Sequence, residues 1–326
     1  MRVETPGIGK RKTQKVTTNK EVTKMKRKSI SIKSVNNDIL FGFAWECEKP
    51  EGVVVIATGM EECAYRYDDF AKFLNKNGYN VYCIDHYGQG ENAIKEEQLG
   101  IVPRSFFSKC VRIIDDVAKK YAIKNKPLIV FGHSMGSFMI QDYIQRYNKR
   151  PTKAIIMGTN GPNAKLAYGA GYPLAKLVCK CKGENKQAKF LASLAIGAYV
   201  KSVKNRKTDC DWLSYNEENV QKYLADPKCG HPSSNGFYRE LLKGNHRLYK
   251  KKFLVKINKD LPILLVAGKE DPVGANGKGP TKLAALYKKL GVKNVELKLY
   301  DHMRHEILNE DDKQTVYNDI LNFIKK

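Results

Sequence analysis

The chain is short of acidic residues and of long apolar runs. No stretch is long enough to cross a bilayer as a helix, which excludes a helical membrane span. The basic residues near the start have no apolar run behind them before residue 39, so no secretory leader is expected. Eight cysteines (Cys47, Cys63, Cys83, Cys110, Cys179, Cys181, Cys210 and Cys229) are scattered through the chain. Cys179-x-Cys181 lacks the second pair that a zinc site needs. The cysteines read as reduced, buried thiols of a cytoplasmic protein rather than a disulfide framework. There is no internal repeat and no nucleic-acid-binding motif, so nucleic acid is excluded as the expected partner.

Acidic residues are outnumbered, 34 against 58 Lys plus Arg, for a net charge of +24. Residues 1–28 hold ten of the basic side chains against only Glu4 and Glu21, with no apolar period. They are expected to form a disordered basic arm. The remaining excess is spread over the folded part. It is either a solvated lysine surface or a face that makes peripheral contact with an anionic membrane.

At 42%, the apolar content is enough for a full core. Ser29-Ile30-Ser31-Ile32 alternates, residues 36–38 turn, and Ile39 to Trp45 returns, which predicts an antiparallel hairpin. The run Val53-Val54-Val55-Ile56-Ala57 is apolar throughout, as in a strand buried on both faces. Strands of the same kind are expected at Val81–Ile84, Pro127–Phe131, Ala154–Met157, Ile263–Ala267 and Val295–Tyr300. Between them lie amphipathic helices, marked by Phe70, Phe73 and Leu74, by Cys110, Ile113, Ile114, Val117 and Tyr121, and by Leu283, Leu286, Tyr287 and Leu290. A last helix carries Val316, Ile320, Phe323 and Ile324. The alternation predicts an α/β fold, a mostly parallel eight-stranded sheet flanked by helices. The rhythm breaks at 160–258, which has helical pieces (190–200, 217–224, 236–248), many aromatics and no convincing strand. The expected organisation is a core of residues 29–159 and 259–326, with a helical cap, or lid, at 160–258 inserted after the sixth strand.

The chemistry centres on Gly132-His133-Ser134-Met135-Gly136, a Gly-x-Ser-x-Gly between a strand and a helix. That pattern lifts a serine hydroxyl above the end of a sheet on a tight, strained turn. A serine needs a base to take its proton, and the base needs an orienting acid. Asp271 and His305 stand just beyond later strands, and the order Ser134, Asp271, His305 is a known chain order for such a triad. Glu270 adjoins Asp271, but the Gly-x-x-Asp-Pro setting favours Asp271; His302 is the rival base to His305. His133 is expected to pack beside the elbow, and His86, His231 and His246 to be structural. Asp85 is expected to brace a turn. The oxyanion donors are expected to be the backbone N–H groups of Met135, at a helix N-terminus, and Met60, after the third strand.

Several motifs together resemble the α/β-hydrolase branch that contains monoacylglycerol lipases and lysophospholipases, within the serine aminopeptidase-like superfamily. They are Gly59-Met60-Glu61-Glu62 with Arg66-Tyr67, Asp85-His86-Tyr87-Gly88-Gln89-Gly90 and the elbow itself. Further along come Asp211-Trp212-Leu213-Ser214, Asn235-Gly236-Phe237-Tyr238, Gly268-Lys269-Glu270-Asp271-Pro272-Val273-Gly274 and Met303-Arg304-His305-Glu306-Ile307-Leu308-Asn309-Glu310. The resemblance spans about residues 29–326. It implies the α/β-hydrolase fold and a serine hydrolase without metal or cofactor, acting on carboxylic esters of acyl glycerols or lysophospholipids. Ser134 would be the nucleophile, His305 the general base and acid, and Asp271 its orienting carboxylate. The chain departs from the family in having Thr58-Gly59 where His-Gly is usual, Gln89 where a second His is usual, and His302 where relatives commonly carry a small Gly nearby.

Fold alone does not fix the substrate. An aromatic, apolar cap suits an acyl chain, and its lysines (Lys176, Lys180, Lys182, Lys186, Lys189, Lys201, Lys204) suit an anionic head group or a membrane. Other outcomes on this fold are a proline-type aminopeptidase, a carboxylesterase or thioesterase, or a non-catalytic ligand- or membrane-binding protein. An aminopeptidase needs acidic cap residues for a substrate amine, and this cap is basic.

Overall fold

The computed structural model of the chain describes residues 27–35 and 37–326, apart from the side chain of Asn163. The strands are β1 (Lys28–Lys33), β2 (Ile39–Trp45), β3 (Gly52–Ala57), β4 (Tyr79–Ile84), β5 (Leu128–His133), β6 (Lys153–Met157), β7 (Ile263–Gly268) and β8 (Val295–Tyr300). They form one eight-stranded sheet in the order β1-β2-β4-β3-β5-β6-β7-β8. The pairs β1–β2 and β2–β4 are antiparallel and the rest parallel, as the hairpin and the buried runs predicted.

The helices are α1 (Asp68–Lys76), α2 (Phe106–Tyr121), α3 (Met135–Arg146), α4 (Lys165–Lys182), α5 (Lys189–Ser202), α6 (Glu217–Ala225), α7 (Asn235–Leu248), α8 (Lys251–Leu254), α9 (Lys278–Lys289) and α10 (Lys313–Lys325). Side chains of successive strand residues point to opposite faces, so each apolar strand feeds two cores. Val53, Val55 and Ala57 pack with residues of α2, α3 and α9. Val54 and Ile56 pack with residues of α1 and α10 on the other side. β5, β6 and β7 divide in the same way. Among the described residues no helix is long and apolar enough to cross a membrane.

Two local readings need correction. The expected arm, residues 1–28, lies outside the described residues except for Arg27 and Lys28, and β1 already begins at Lys28. There the Lys28 Nζ lies 3.1 Å from Glu46, and the Arg27 guanidinium lies 4.4 Å from the centre of the Phe43 ring. The second concerns α4, which no sequence pattern announced because it contains Gly169, Gly171 and Pro173. A proline inside a helix removes a backbone bond and glycine is a poor helix former. Tertiary packing overrides both: a Cβ on Gly171 would sit only 3.2 Å from Leu242 of α7, so the glycine lets the two helices close on each other. Between β6 and β7 the described chain adds α4 to α8 and no strand to the sheet.

The β5–α3 junction sets the position of Ser134. Ser134 has φ 51° and ψ −117°, a backbone that side-chain-bearing residues rarely adopt. Its N–H donates to the carbonyl of Met157 at 3.0 Å, which ties the turn to β6. Glycine is required on both sides. A Cβ at Gly132 would lie 2.3 Å from the Gly136 carbonyl oxygen, and one at Gly136 would lie 2.1 Å from that of Ala57. Gly136→Ala is therefore expected to destabilise the protein by about 2 kcal/mol, the usual scale of overpacking. Gly197→Ala on α5, where the nearest atom would be 3.7 Å away, is expected to be neutral or stabilising. Urea denaturation of both variants checks this, and equal stability of Gly136→Ala and wild type would contradict it.

Candidate active site

Asp271 and His305 lie on the loops that follow β7 and β8, and parallel strands bring these loops to the same edge of the sheet as the elbow. The His305 Nδ1 lies 3.0 Å from each carboxylate oxygen of Asp271. Both side chains are buried. Asp271 is held in turn by the backbone N–H of Val273, which donates to its Oδ1 at 2.9 Å. Burial works against the charged imidazolium of His305, but the charge and hydrogen bond of Asp271 outweigh it, and its pKa ends above the ordinary value. Trp212 stacks obliquely over His305 with ring centres 5.2 Å apart, and His133 lies 4.7 Å away on another side.

Ser134 and His305 both line one cavity of about 360 Å³, and Met60 and Met135 line it as well. Among the described residues no hydrogen bond joins the Ser134 hydroxyl to His305. Bonds of this kind often close only around a bound substrate. The remaining cavity wall is mostly aliphatic and aromatic, from Leu174 of α4, Leu191 and Leu194 of α5, and Tyr238, Leu241 and Leu242 of α7. On α7 the last three follow a helical spacing of three and four, which puts them on one face.

The rival residues lie elsewhere. His302 is exposed, and its nearest acid is Glu270, 3.7 Å away. Glu270 accepts from the Tyr215 hydroxyl at the surface. His86 is buried with its Nε2 3.2 Å from the carbonyl of Thr58; burial lowers its pKa to about 4, and the Thr58 carbonyl only partly opposes this. Burial also lowers His231 to about 4, in a separate cavity with Glu96 and Glu97. His246 is half-buried on α7. Asp85 braces a turn, accepting from the N–H of Ala64 at 2.6 Å and of Glu91 at 3.0 Å.

Four residues do more than sequence patterns indicated. Arg66 donates two parallel bonds to Glu306, at 2.6 and 2.7 Å, and also reaches Glu62 at 3.0 Å and Asn219 of α6 at 3.1 Å. It thereby ties the loop after β3 to the residue beside His305 and to α6. Burial alone would raise the carboxyl pKa of Glu62 and Glu306. For Glu62 the hydrogen bond and charge of His133 lead the opposing effects, followed by Arg66; for Glu306 the leading one is Arg66. Both end below the usual carboxylate range. Glu62 Oε1 also accepts from the N–H of Gly59 and, at 2.8 Å, from the Tyr67 hydroxyl.

His133 is more than packing. Its Nδ1 lies 3.2 Å from Glu62 and its Nε2 lies 3.3 Å from the carbonyl of His305. Gln89, at the position of a departure from the family pattern, donates to the carbonyls of Gly59 and Glu62 at 3.0 and 3.1 Å and accepts from the N–H of Glu61 at 3.1 Å. One amide thus holds the whole turn in which Met60 sits. The signal available in sequence was the cluster of polar residues at 61–67 and 85–90, but the pairings depend on loops far apart in the chain.

The two late motifs interlock. Glu310 accepts from the Ser214 hydroxyl at 2.7 Å and from the N–H groups of Tyr215 and Arg304 at 2.9 and 2.8 Å. The Arg304 guanidinium donates to the carbonyl of Asp211 at 2.7 Å. The segment that carries Trp212 is therefore fixed to the segment that carries His305. The seven lysines at 176–204 expected to meet a head group do not reach the cavity. All are exposed, and among the described residues no lysine or arginine lines it. Their long charged chains gain hydration on the outer faces of α4, α5 and the adjoining loops instead.

Comparison with known proteins gives the family and the fold. Residues 48–312 match the family described as serine aminopeptidase, S33. The chain is 29% identical over 279 residues to a monoacylglycerol lipase of Mycolicibacterium smegmatis, covering 84% of this chain and 88% of that protein. It is 22% identical over 277 residues to the phospholipase YtpA of Bacillus subtilis, covering 84% and 95%. A thermostable carboxyl esterase of Bacillus coagulans, solved with glycerol, superposes with a TM-score of 0.81 at 24% identity, over 92% of this chain and 98% of that one. The chain belongs to the serine aminopeptidase S33 family of hydrolases and has the α/β-hydrolase fold.

Proposed function

We propose that this hydrolase cleaves carboxylic esters of long-chain acyl groups, monoacylglycerols or lysophospholipids, through Ser134, His305 and Asp271. The observation that carries the reading is a buried His–Asp pair whose histidine shares an aliphatic cavity with a strained elbow serine. His305 takes the hydroxyl proton as Ser134 Oγ attacks the ester carbonyl carbon. Asp271 fixes the ring orientation and offsets the positive charge that forms. The N–H groups of Met60 and Met135 receive the negative oxygen of the tetrahedral intermediate. The alcohol leaves with the proton from His305, and the acyl group stays on Ser134. A water molecule, activated by the same histidine, then releases the fatty acid. Residues 160–258 act as the cap whose helices α4, α5 and α7 enclose the acyl chain.

A membrane role for the cap is supported by its outer face. Leu174 and Leu194 line the cavity yet are 37% and 58% exposed, so the cavity meets the surface between α4 and α5. Leu166, Leu177 and Phe190 are exposed on the same two helices, among the exposed lysines. Apolar side chains ringed by cations suit an anionic lipid surface, from which a substrate would pass into the cavity.

Release of fatty acid from a panel of monooleoylglycerol, oleoyl lysophospholipids, 4-nitrophenyl esters and proline-naphthylamide tests the activity. Wild type is expected to cleave the oleoyl esters, and Ser134→Ala to lose at least roughly 10⁴-fold. Because the imidazole must be neutral to take the proton, kcat/KM should fall as pH drops through a midpoint above the ordinary histidine value of about 6.5. Turnover of proline-naphthylamide in preference to every ester would overturn the reading. In vesicle sedimentation, phosphatidylserine is expected to strengthen binding. Leu177→Asp with Phe190→Asp should weaken it by about tenfold or more, since each apolar side chain contributes about 1.5–3 kcal/mol when buried. Binding indifferent to both changes would remove the membrane role.

A further inference from the structure

The cavity differs sharply from the molecule around it. The chain carries +24, yet the charged side chains that line the cavity are glutamates and the titratable His133 and His305, with no lysine or arginine among the described residues. Two of the glutamates, Glu62 and Glu306, share an ion pair with the single cation of Arg66. The third, Glu61, has no ion pair among the described residues. Its Oε1 accepts from the Ser233 hydroxyl at 2.7 Å.

The Glu61 backbone is fixed on every side. Its N–H donates to Gln89, and its carbonyl accepts from the N–H of Gly230 at 2.9 Å and from the Tyr223 hydroxyl at 3.0 Å. Its φ is 58°, in the left-handed region that glycine fits better. An acid is therefore held in a strained position, one residue beyond Met60, on the wall of the cavity.

An unsatisfied polar group belongs to another residue that lines the same cavity. Ser233, the partner of Glu61, precedes Ser234, whose hydroxyl accepts from the N–H of Phe237 at the start of α7. One turn into the helix comes Tyr238, 2% exposed and lining the same cavity. The Tyr238 hydroxyl is buried with no hydrogen-bond partner. Buried phenols normally find one, and a ligand hydroxyl in the cavity would supply it.

We propose that Glu61 and Tyr238 form a head-group niche that holds the hydroxyls of an uncharged polyol ester and turns away phosphate-bearing head groups. This rests on the ester-hydrolase reading above and selects one of its two substrate classes. A glycerol hydroxyl can donate to Glu61 and accept from Tyr238. A phosphate in the same place would face an acid, with no cation to pair with, out of water. Burial pushes the Glu61 carboxyl up to about 7, so the rejection of phosphate strengthens as pH rises through neutrality and the acid ionises.

The test compares kcat/KM for monooleoylglycerol and for oleoyl lysophosphatidic acid, which share an acyl chain. Wild type should favour the glycerol ester by roughly tenfold or more, the least that an unpaired buried phosphate costs. Glu61→Gln should narrow that ratio by about tenfold, through a lower KM for the phosphate ester. Tyr238→Phe should raise the KM for monooleoylglycerol about tenfold, more than it changes kcat. Glu61→Gly, which suits the backbone at this position, guards against a folding artefact and should narrow the ratio as Gln does. If both Glu61 variants keep the wild-type ratio, the niche is wrongly assigned while the hydrolase reading stands. A wild type that prefers the phosphate ester also overturns the niche. If it cleaves neither lipid, the niche and the ester reading fall together.

Discussion

A buried guanidinium holds the parts of this site together. Arg66 sits between Glu62 on the loop after β3 and Glu306 beside His305, and reaches across to Asn219 on α6. Three segments that are far apart in the chain thus share one cation. The doubled bond to Glu306 fixes direction as well as distance, which a lysine in its place would not do. Such an arrangement is stable only while every member is present. Removing one partner of a buried pair strands the others and typically costs about 3–5 kcal/mol. The cluster also couples geometry on the two sides of the cavity. Glu62 bonds the N–H of Gly59, next to Met60, and Glu306 adjoins His305, so a shift of either loop would be felt by the other.

Charge is distributed unevenly by the same folding. Among the described residues, the seven lysines of 176–204 are exposed to water and none reaches the cavity. The cavity keeps acids, aromatic rings and aliphatic side chains. Asp271 lies 3.0 Å from the Nδ1 of His305 and raises its pKa, and Arg66 pairs with the nearby carboxylates. The elbow stores strain at Ser134, kept in place by the bond to Met157 and by the close approach of Gly136 to β3.

Much of this was legible in the sequence. Apolar runs such as Val53 to Ala57 specify strands buried on both faces, because they are short, rich in β-branched residues and flanked by glycine. The elbow, Asp271 and His305 were legible because each follows a strand directly, and parallel strands deliver their following loops to one edge. The Arg66 cluster was not, since nothing in the local spacing links residues 62, 66, 219 and 306. Helix α4 was hidden by Gly169, Gly171 and Pro173, whose propensities argue against a helix that packing on α7 then stabilises. The lysines of residues 176–204 were expected to suit a head group or a membrane, and their place outside the cavity speaks only against the first. Composition locates charge in a segment but cannot tell which face of a helix turns to the cavity.

Covalent trapping of the nucleophile bears most directly on how the site works. A fluorophosphonate loses fluoride to an activated serine and leaves a stable phosphonyl adduct. Intact-mass analysis of wild type is expected to show one adduct per chain, and peptide mapping to place it on Ser134, with none formed in Ser134→Ala. An adduct on another residue, or equal labelling of Ser134→Ala, would contradict the assignment of Ser134 as the activated nucleophile.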